Sequence, residues 1–592
     1  MPVLYKEFIK KNSRKIISLF ILGVVFLVFV LMNPQWYFDG EDYVQLFRCY
    51  KVKSIKDFLD FFIHGSLDTY RSLLHPFEIW RQTFFSVYYR PMCLVLYFFE
   101  YSLFGLNAYM HFMFLMFFHS LNTSILCYFI IPFTGNFFAI LFSLFYAFHP
   151  SFCFIGKWDC QQHIFTTFFA ILAAVFLIKK IRNIHSKTML PLASYLFFFL
   201  SLGVRETFIV FPLMAIFIMN LYERSQYYKF QRILDQLKIV IGFGLTILVY
   251  FFMRQISYSI VFSSVGLGNY FSVNILSMNT IHVLYLYLLS CFHPLYSVYY
   301  IFDQHKFLWL YRFIKIFTLS IPFILFFTST KKKLILLLAF FTALLFWPIF
   351  ICGYGGQNDR TFYEASISFI LMFIALFKFT WLRKYHLAKY CGAVVLAFMI
   401  AYNLFFLNMQ RQRAFKHLQS TFYPILELKT SVGKALQDTP FFIFSLPFTM
   451  YHWMSLPQAI ELYGISRVAI DCYCDSRIRI HSFMPIKDNL IIRTGANSFR
   501  FITTDKDKLW FSYDKPFCNI VFDDQHNYDD FPYGRHNIYI HSEDNSIIVP
   551  FQSNKIYDIS VIFKDAEYFH HDAKFLTWDY ESSKFVVLNS AT

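Results

Sequence analysis

Three acidic residues stand together directly after the first apolar run of the chain. That run covers residues 16–32, and Asp39, Glu41 and Asp42 follow it within "NPQWYFDGEDYVQLF". Clustered carboxylates repel one another, and loss of water at a membrane boundary further raises the pKa of a carboxyl group. Such a group is suited to take a proton from a hydroxyl as the hydroxyl attacks a substrate. A metal site and a solvated loop start are the alternative interpretations.

Arginine residues also stand where apolar runs begin or end. Arg90 lies in "YYRPM", Arg205 and Glu206 lie in "LSLGVRETFIVF", and Arg360 lies in "GYGGQNDRTF". An arginine at such a position can simply extend its guanidinium group to the interface between membrane and water. Each Arg–acid pair can likewise be a local salt bridge. Together, the three guanidinium groups are suited to bind a phosphate or pyrophosphate.

Histidines and one further acid occupy two other stretches. The polar break "FHPSFCFIGKWDCQQH" (148–163) contains Asp159 and His163. His111 and His119 lie eight residues apart in an apolar run, on roughly one face of a helix. Such a pair is more often packed and hydrogen-bonded than bound to metal.

The composition indicates an integral membrane protein. Of the 592 residues, 57% are hydrophobic and only 15% are charged, whereas about 25% are charged in a soluble protein. The net charge of +16 fits cytoplasmic loops rich in Lys and Arg, and no motif that reads a nucleic acid is visible, so nucleic-acid binding is excluded. The 11 Cys are scattered without a CxxC pair, so they indicate no zinc knuckle.

The apolar runs predict a polytopic α-helical protein with about 11–13 transmembrane helices. They lie near residues 16–32, 91–106, 108–131, 164–178, 189–203, 207–222, 238–252, 308–328, 333–351, 362–378 and 391–408. Two further stretches, 134–149 and 276–293, are ambiguous. We prefer eleven spans, because this count keeps all the basic clusters on the cytoplasmic side. The amino terminus is then inside and the carboxyl terminus outside.

This topology brings the polar segments to one face of the membrane. They are the long first outer loop 33–90, then 150–163, 204–207, 253–307 and 353–360. After about residue 410, short alternating runs separated by turn residues predict a β-rich domain. We therefore predict a transmembrane domain over 1–410 and a soluble, extracytoplasmic β-rich domain over 411–592. The protein is expected in a bacterial inner membrane, with the site and this domain on the periplasmic or outer face.

The order of these motifs resembles a known family. An acidic pair after the first helix is followed by "YRP", "FGLNAYMHF", "FHSLNTSIL", "FHPSF", "RETFIVFPL" and "DRTFYEASISF". Over roughly residues 15–410, this series resembles the GT-C superfamily of integral membrane glycosyltransferases. It is most similar to the protein O-mannosyltransferase-like and bacterial polyprenyl-phosphate-sugar-dependent branch.

The resemblance implies a donor in which a sugar is carried on a polyprenyl phosphate. It also implies a catalytic base from the first outer loop, for which Asp42 is the first candidate and Glu41 the second, with Asp39 upstream. The family commonly has Lys-Glu where this chain has Arg205 and Glu206, and its arginine in the late loop matches Arg360.

After Trp158 the family often has an Arg and an Asp, whereas this chain reads "DCQQH". In this stretch Asp159 and His163 are the candidate substrate-binding residues. Arg90, Arg205 and Arg360 are suited to stabilise the leaving lipid phosphate. The expected reaction is a single displacement with inversion that needs no metal and no cofactor. The partners implied are the lipid-linked sugar donor, membrane lipid, and a glycan, lipid or protein acceptor.

Two other classes of protein compete with this interpretation. A membrane transporter or flippase would require charged residues near the middle of the membrane and paired broken helices in two halves of the chain. A polysaccharide polymerase or ligase of another membrane fold is the second alternative, together with a non-catalytic member of the same fold.

The first prediction concerns the acids of the first loop. Replacing Asp42 by Asn and Glu41 by Gln together is expected to abolish sugar transfer from a lipid donor, because no carboxylate then accepts the proton of the attacking hydroxyl. Transfer is measured with a labelled polyprenyl-phosphate sugar. Full activity of the double variant would refute a base at this position.

Overall fold

The protein is seen here in a computed structural model. The structure describes residues 2–38, 40–64, 90–149, 161–182, 189–222, 229–258 and 386–432, together with residues 363, 366–367 and 462–463 and a series of short strands between 441 and 587.

The described part of the chain before residue 433 is helical. In chain order its helices are α1 (Pro2–Met32), α2 (Gly40–Lys51), α3 (Ile55–His64), α4 (Pro91–Phe104), α5 (Ala108–Thr134), α6 (Asn136–Ala147), α7 (Gln161–Arg182), α8 (Met189–Val204), α9 (Phe211–Tyr222), α10 (Lys229–Tyr258) and α11 (His386–Val432). A 3-10 turn, Glu206–Val210, joins α8 to α9.

Among the described helices, five contain segments long and apolar enough to cross a membrane. These segments are Asn12–Met32, Ala108–Thr134, Gln161–Ile181, Gln236–Arg254 and Gly392–Met409. This agrees with the predicted class of helical membrane protein. The predicted spans between 308 and 351 lie outside the described residues, so the total of eleven stays a prediction.

The predicted span at 91–106 differs from the helix found there. Helix α4 has 14 residues, which at 1.5 Å per residue is about 21 Å, shorter than the roughly 30 Å of a bilayer core. Gly105 ends it with a positive φ of 54° and donates its N–H to the Tyr101 carbonyl. The ambiguous stretch 134–149 likewise holds a short helix, α6. Apolar composition predicted the helix α4, and a membrane crossing at this position stays a prediction.

Helices α1 and α5 pack side by side in opposite directions. Ser124 donates a hydrogen bond of 2.7 Å to the Ser18 carbonyl, and Trp36 stacks on Phe112 with ring centroids 4.8 Å apart. The start of α5 therefore lies beside the C-terminal end of α1. The Asn107 side chain caps α5 by accepting from the Met110 N–H at 3.2 Å, as a short polar side chain does at a helix start.

Two ionisable side chains are fully enclosed where α4 turns into α5. Glu100 and His111 are 0% and 1% exposed, and Glu100 Oε2 lies 3.2 Å from His111 Nδ1. The other ring nitrogen of His111, Nε2, lies 3.0 Å from the Gly105 carbonyl oxygen. His111 is thus packed and hydrogen-bonded.

Arg411 of α11 is a further charged group that is buried in the described helical part, with 1% of its surface exposed. Its guanidinium carbon lies 5.0 Å from the Phe29 ring centroid and 5.1 Å from those of Trp36 and Phe112. Its Nε donates to Asn33 Oδ1 at 3.2 Å. Cation–π attraction to three rings compensates part of the hydration that the guanidinium loses.

Helices α7 and α8 form an antiparallel hairpin against which α10 packs. Ser201 donates to the Thr166 carbonyl at 2.8 Å, and further along Ser194 donates to the Ala173 carbonyl at 2.7 Å. The approach of α10 to α8 depends on Gly242, because a Cβ atom there would overlap the Tyr195 ring. These contacts bring the end of α8 and the start of α7 to one end of the hairpin.

The described backbone after residue 440 consists of short strands. They are β1 (Phe441–Ile443), β2 (Ile478–Ser482), β3 (Leu490–Arg493), β4 (Ser498–Thr503), β5 (Leu509–Tyr513), β6 (Cys518–Phe522), β7 (Asn537–His541), β8 (Ser546–Pro550), β9 (Tyr557–Phe563), β10 (Lys574–Asp579) and β11 (Lys584–Val587). They pair in the orders β1-β10-β11, β2-β5-β7-β8 and β3-β4-β9-β6. The residues that join them lie outside the described part, and a β-rich exported domain over 411–592 stays a prediction.

Backbone contacts divide the chain into two compact units. One comprises Met1–Trp36, Ser54–Asp68 and Arg81–Phe415, and the other comprises Tyr37–Lys53, Thr69–Trp80 and Lys416–Thr592. Helix α11 continues past the boundary predicted near residue 410. Helix α2, which carries Glu41 and Asp42, belongs to the second unit.

The packing of α10 on α8 makes a testable prediction. Gly242→Ala is expected to destabilise the protein by about 1–3 kcal/mol, because the new methyl group forces the Tyr195 ring to move. Gly244→Ala is the matched control: it lies in the same helix, and its Cβ would have no atom within 4 Å.

The measurement is thermal unfolding of both variants in the same detergent. Gly244→Ala is expected to match or exceed the wild-type melting temperature, since alanine is the better helix former. Equal melting temperatures for the two variants would contradict the close approach at Gly242.

Candidate functional site

Four helix ends meet in one group of polar side chains, which we name the arginine cluster. It comprises Arg90 at the start of α4, Gln162 and His163 in the first turn of α7, Arg205 and Glu206 after α8, and Tyr250 and Arg254 near the end of α10. All seven residues belong to the first unit.

The local sequence explains why two of these residues stand at helix ends. Pro91 occupies the first turn of α4, where its missing N–H costs nothing, and this makes Arg90 the N-cap residue. Arg205 has an extended backbone, with φ −164° and ψ 140°, and so separates α8 from the following 3-10 turn. Glu206 then lies in the first turn of that segment, where a negative charge is favourable.

Glu206 is the centre of the arginine cluster. Its Oε2 lies 3.5 Å from Arg90 Nε, and its Oε1 lies 3.6 Å from Arg254 Nη1. The Tyr250 hydroxyl donates a hydrogen bond of 2.9 Å to Oε1. One carboxylate therefore joins guanidinium groups that come from two helices.

Two further members, Arg205 and His163, are in direct contact. Arg205 Nη1 lies 2.6 Å from His163 Nδ1. The same atom lies 2.5 Å from His163 Nε2, so the guanidinium group meets the edge of the imidazole ring between its two nitrogens. Thr166 also donates to the Arg205 carbonyl at 3.2 Å, which fixes the backbone there.

The arginine cluster brings three guanidinium groups together. Among its described residues, Arg90 and Arg254 lie beside the Glu206 carboxylate, and Arg205 lies beside the His163 ring. Arg90 and Glu206 are 21% and 22% exposed at the side chain. A cationic and partly open group at the end of apolar helices is suited to an anion such as phosphate.

Arg90 and Arg254 also shift the pKa of Glu206. Burial raises the pKa of this carboxyl group, but the charges of Arg90 and Arg254 and the hydrogen bond from Tyr250 outweigh burial. The net result is a pKa below the ordinary value of 4.5. Glu206 is therefore an anion at neutral pH.

Four of the residues predicted from the sequence meet in this cluster: Arg90, Arg205, Glu206 and His163. Asp42 is fully buried, but it belongs to the second unit, and its approach to the arginines stays a prediction. Asp39, Asp159, Arg360 and the side chain of Glu41 lie outside the described residues.

The predicted local pairing of Arg205 with its neighbour Glu206 is replaced by longer-range contacts. Glu206 pairs with Arg90 and Arg254, and Arg205 contacts His163. Sequence analysis missed Gln162, Tyr250 and Arg254. Arg254 had a visible signal, since it lies two residues after the apolar run 238–252, much as Arg90 precedes one.

A second polar group joins two of the motifs recognised in the sequence. His119 Nδ1 lies 2.9 Å from the Tyr363 hydroxyl, and Asn122 donates to the same hydroxyl at 3.2 Å. His119 and Asn122 come from "FHSLNTSIL" and Tyr363 from "DRTFYEASISF". Two motifs far apart in the chain are thereby held together inside the first unit.

In the second unit, Asp42 lies beside an aromatic group. Its neighbour Tyr43 has its ring centroid 6.1 Å from that of Tyr463. The ring centroid of Phe422 lies 6.2 Å from that of Tyr463 and 4.9 Å from that of Tyr37.

Among the residues that the structure describes, no group of three or more His, Cys, Asp and Glu side chains could hold a metal ion. In comparisons with known proteins, no family model, curated protein or solved structure matches this chain.

The depressed pKa of Glu206 makes a pH-dependent prediction. A carboxylate whose pKa is lowered by folding contributes stability above its unfolded pKa and loses that contribution as the pH falls through the folded value. Glu206→Gln is therefore expected to lower the melting temperature at neutral pH. The difference in melting temperature between the variant and wild type should narrow only when the pH falls below 4.5, the ordinary pKa of this group.

Thermal unfolding of both proteins, from pH 7 down to about pH 3, measures this difference. A difference that stays constant over the whole range would mean that the ion pairs with Arg90 and Arg254 contribute nothing to stability.

Proposed function

We propose that this chain is a membrane glycosyltransferase that transfers a sugar from a polyprenyl phosphate to an acceptor hydroxyl. The observation that carries the proposal is the arginine cluster, which gathers three guanidinium groups at one end of apolar helices. A lipid phosphate matches this arrangement, because its tail binds an apolar surface and its phosphate binds cations.

The placement of the sequence motifs supports the same proposal. Arg90 of "YRP" contacts Glu206 of "RETFIVFPL", and His119 of "FHSLNTSIL" contacts Tyr363 of "DRTFYEASISF". Four motifs whose order resembles the GT-C superfamily thus form two pairs in space. The resemblance otherwise depends on short sequence motifs alone. The contacts between these motifs are an additional, spatial argument for it.

The proposed reaction is a single displacement at the anomeric carbon. The acceptor oxygen forms a bond to this carbon, while the bond from the carbon to the phosphate oxygen breaks and leaves its electron pair on the phosphate. Asp42, or its neighbour Glu41, takes the proton of the acceptor hydroxyl. Arg90 and Arg205, with Arg360 as a further candidate, stabilise the charge on the departing lipid phosphate, so no acid has to protonate it.

The finer features predicted from the sequence complete the proposal. The chain would have about eleven spans of GT-C type, with the site and a β-rich domain over 411–592 on the periplasmic or outer face. No metal or cofactor takes part. The acceptor is a glycan, a lipid or a protein.

A transfer assay tests the proposal. Membranes that contain the protein are incubated with undecaprenyl phosphate carrying labelled mannose, glucose or galactose in turn, and label in acceptor material is followed. Wild type is expected to transfer one of these sugars. The double variant Arg90→Gln, Arg205→Gln is expected to be at least about a hundredfold slower, because electrostatic stabilisation of the leaving group is lost.

The same membranes distinguish the main alternative. If the labelled lipid crosses intact from one leaflet to the other and no sugar is transferred, the protein is a flippase and the proposed reaction is wrong. Equal transfer by wild type and the double variant would leave the reaction in place but remove the arginines from it.

A further inference from the structure

We propose that helix α3 lies along the surface of the membrane and that one apolar side of it contacts lipid acyl chains. The partner of this surface is the bilayer itself, at the boundary between the lipid headgroups and their tails. The placement depends neither on sugar transfer nor on the arginine cluster, so it stands apart from the proposed function.

The sequence of α3 gives it an apolar face and a polar face. Its segment "IKDFLDFFIH" has apolar residues at positions 55, 58, 59 and 62, which is the spacing of one helix face, and charged residues stand between them. The helix has ten residues, about 15 Å at 1.5 Å per residue, which is half of a bilayer core. A short amphipathic helix of this kind is suited to lie in the plane of a membrane surface.

The start of α3 is fixed by two reciprocal hydrogen bonds. The Ser54 N–H donates to Asp57 Oδ2 at 2.9 Å, and the Asp57 N–H donates to Ser54 Oγ at 3.1 Å. This capping box provides partners for two N–H groups at a helix start, where the helix itself provides none. The local sequence therefore determines where α3 begins and so which residues share a face.

The apolar face of α3 is divided into a packed side and an open side. Phe58 packs on Phe98 of α4, with ring centroids 5.3 Å apart. Ile55 and Leu59 are 80% and 47% exposed, and residues four apart are neighbours on the surface of a helix. The protein thus covers one side of the apolar face and leaves the side with Ile55 and Leu59 open.

The helices around α3 indicate what covers the open side. Helix α3 packs against both α4 and α10, and α10 contains the apolar segment Gln236–Arg254, which is long enough to cross a membrane. Leu248 and Phe252 of this segment are exposed, as are Phe99 and Leu103 of α4. Helix α3 therefore adjoins a helix whose exposed apolar side chains face acyl chains, and its own open side extends that lipid-facing surface.

The charged neighbour of Ile55 gives α3 an orientation. Lys56 is exposed and lies about 100° around the helix from Ile55, since a turn has 3.6 residues. When Ile55 and Leu59 point to the acyl chains, the flexible stem of Lys56 allows its ammonium group to stay among the headgroups or in water. The two kinds of side chain should therefore meet different surroundings.

Fluorescence quenching in vesicles tests this placement. An environment-sensitive nitrobenzoxadiazole label is attached to the variants Ile55→Cys, Leu59→Cys and Lys56→Cys of the full-length protein. Each variant is reconstituted into vesicles of phosphatidylethanolamine and phosphatidylglycerol. Wild type treated with the same reagent is the blank, and its signal from native cysteines is subtracted. The two quenchers are iodide in the water and a phosphatidylcholine with a doxyl group near the ester end of its acyl chain.

We expect the doxyl lipid to quench the labels at positions 55 and 59 at least about twofold more strongly than the label at 56, because an interfacial helix buries only its apolar side in the acyl region. Iodide should show the opposite order. Lys56→Cys is the matched control, since it carries the same label on the same helix. If Ile55→Cys does not fold, which thermal unfolding reveals, Leu59→Cys decides the question.

The other outcomes overturn the proposal. Iodide quenching at 55 and 59 that equals or exceeds the quenching at 56 would mean that the open side faces water. Labels at 55 and 59 that neither quencher reaches would mean that protein covers this side, for example a second copy of the chain. Equal quenching by the doxyl lipid at all three positions would contradict the orientation. None of these results bears on sugar transfer, so the proposed function is tested separately.

Discussion

A charged or hydrogen-bonding side chain among apolar helices is stable only when the protein replaces the water that it has lost. This constraint accounts for most of the long-range polar contacts in the helical part. Glu100 is enclosed with His111, and Arg411 lies among three aromatic rings and bonds Asn33. Ser124 reaches a backbone carbonyl of the neighbouring helix. Each contact fixes the position of one helix against another.

The arginine cluster obeys the same constraint. Glu206 lies beside two of its three guanidinium groups, and Arg205 contacts His163. The cluster differs in exposure from the Glu100–His111 pair, which is closed to solvent on both sides, because Arg90 and Glu206 are partly exposed. Guanidinium groups at a partly open helix end are suited to an anion. This is why the proposed function starts from charge and exposure.

The sequence predicted helices well and their relations poorly. The apolar run and the flanking Asn107 and Gly135 mark both ends of α5, because capping is a local property. Whether α4 crosses a bilayer depends on its length and on the helices around it, and hydropathy alone predicted a span there. The choice of Arg254 as a partner for Glu206 depends on where α10 packs, which no local pattern contains. Tyr250 lies inside an apolar run and looks like an ordinary aromatic residue of a membrane helix.

The contact of His111 with the Gly105 carbonyl has an electrical consequence for the corner between α4 and α5. A carbonyl oxygen only accepts, so Nε2 must hold a proton, and the remaining gap between Nδ1 and the glutamate oxygen can be bridged by a single shared proton. With that proton on either atom, the pair has no net charge. The corner is therefore a dipole whose two forms differ by the movement of one hydrogen nucleus.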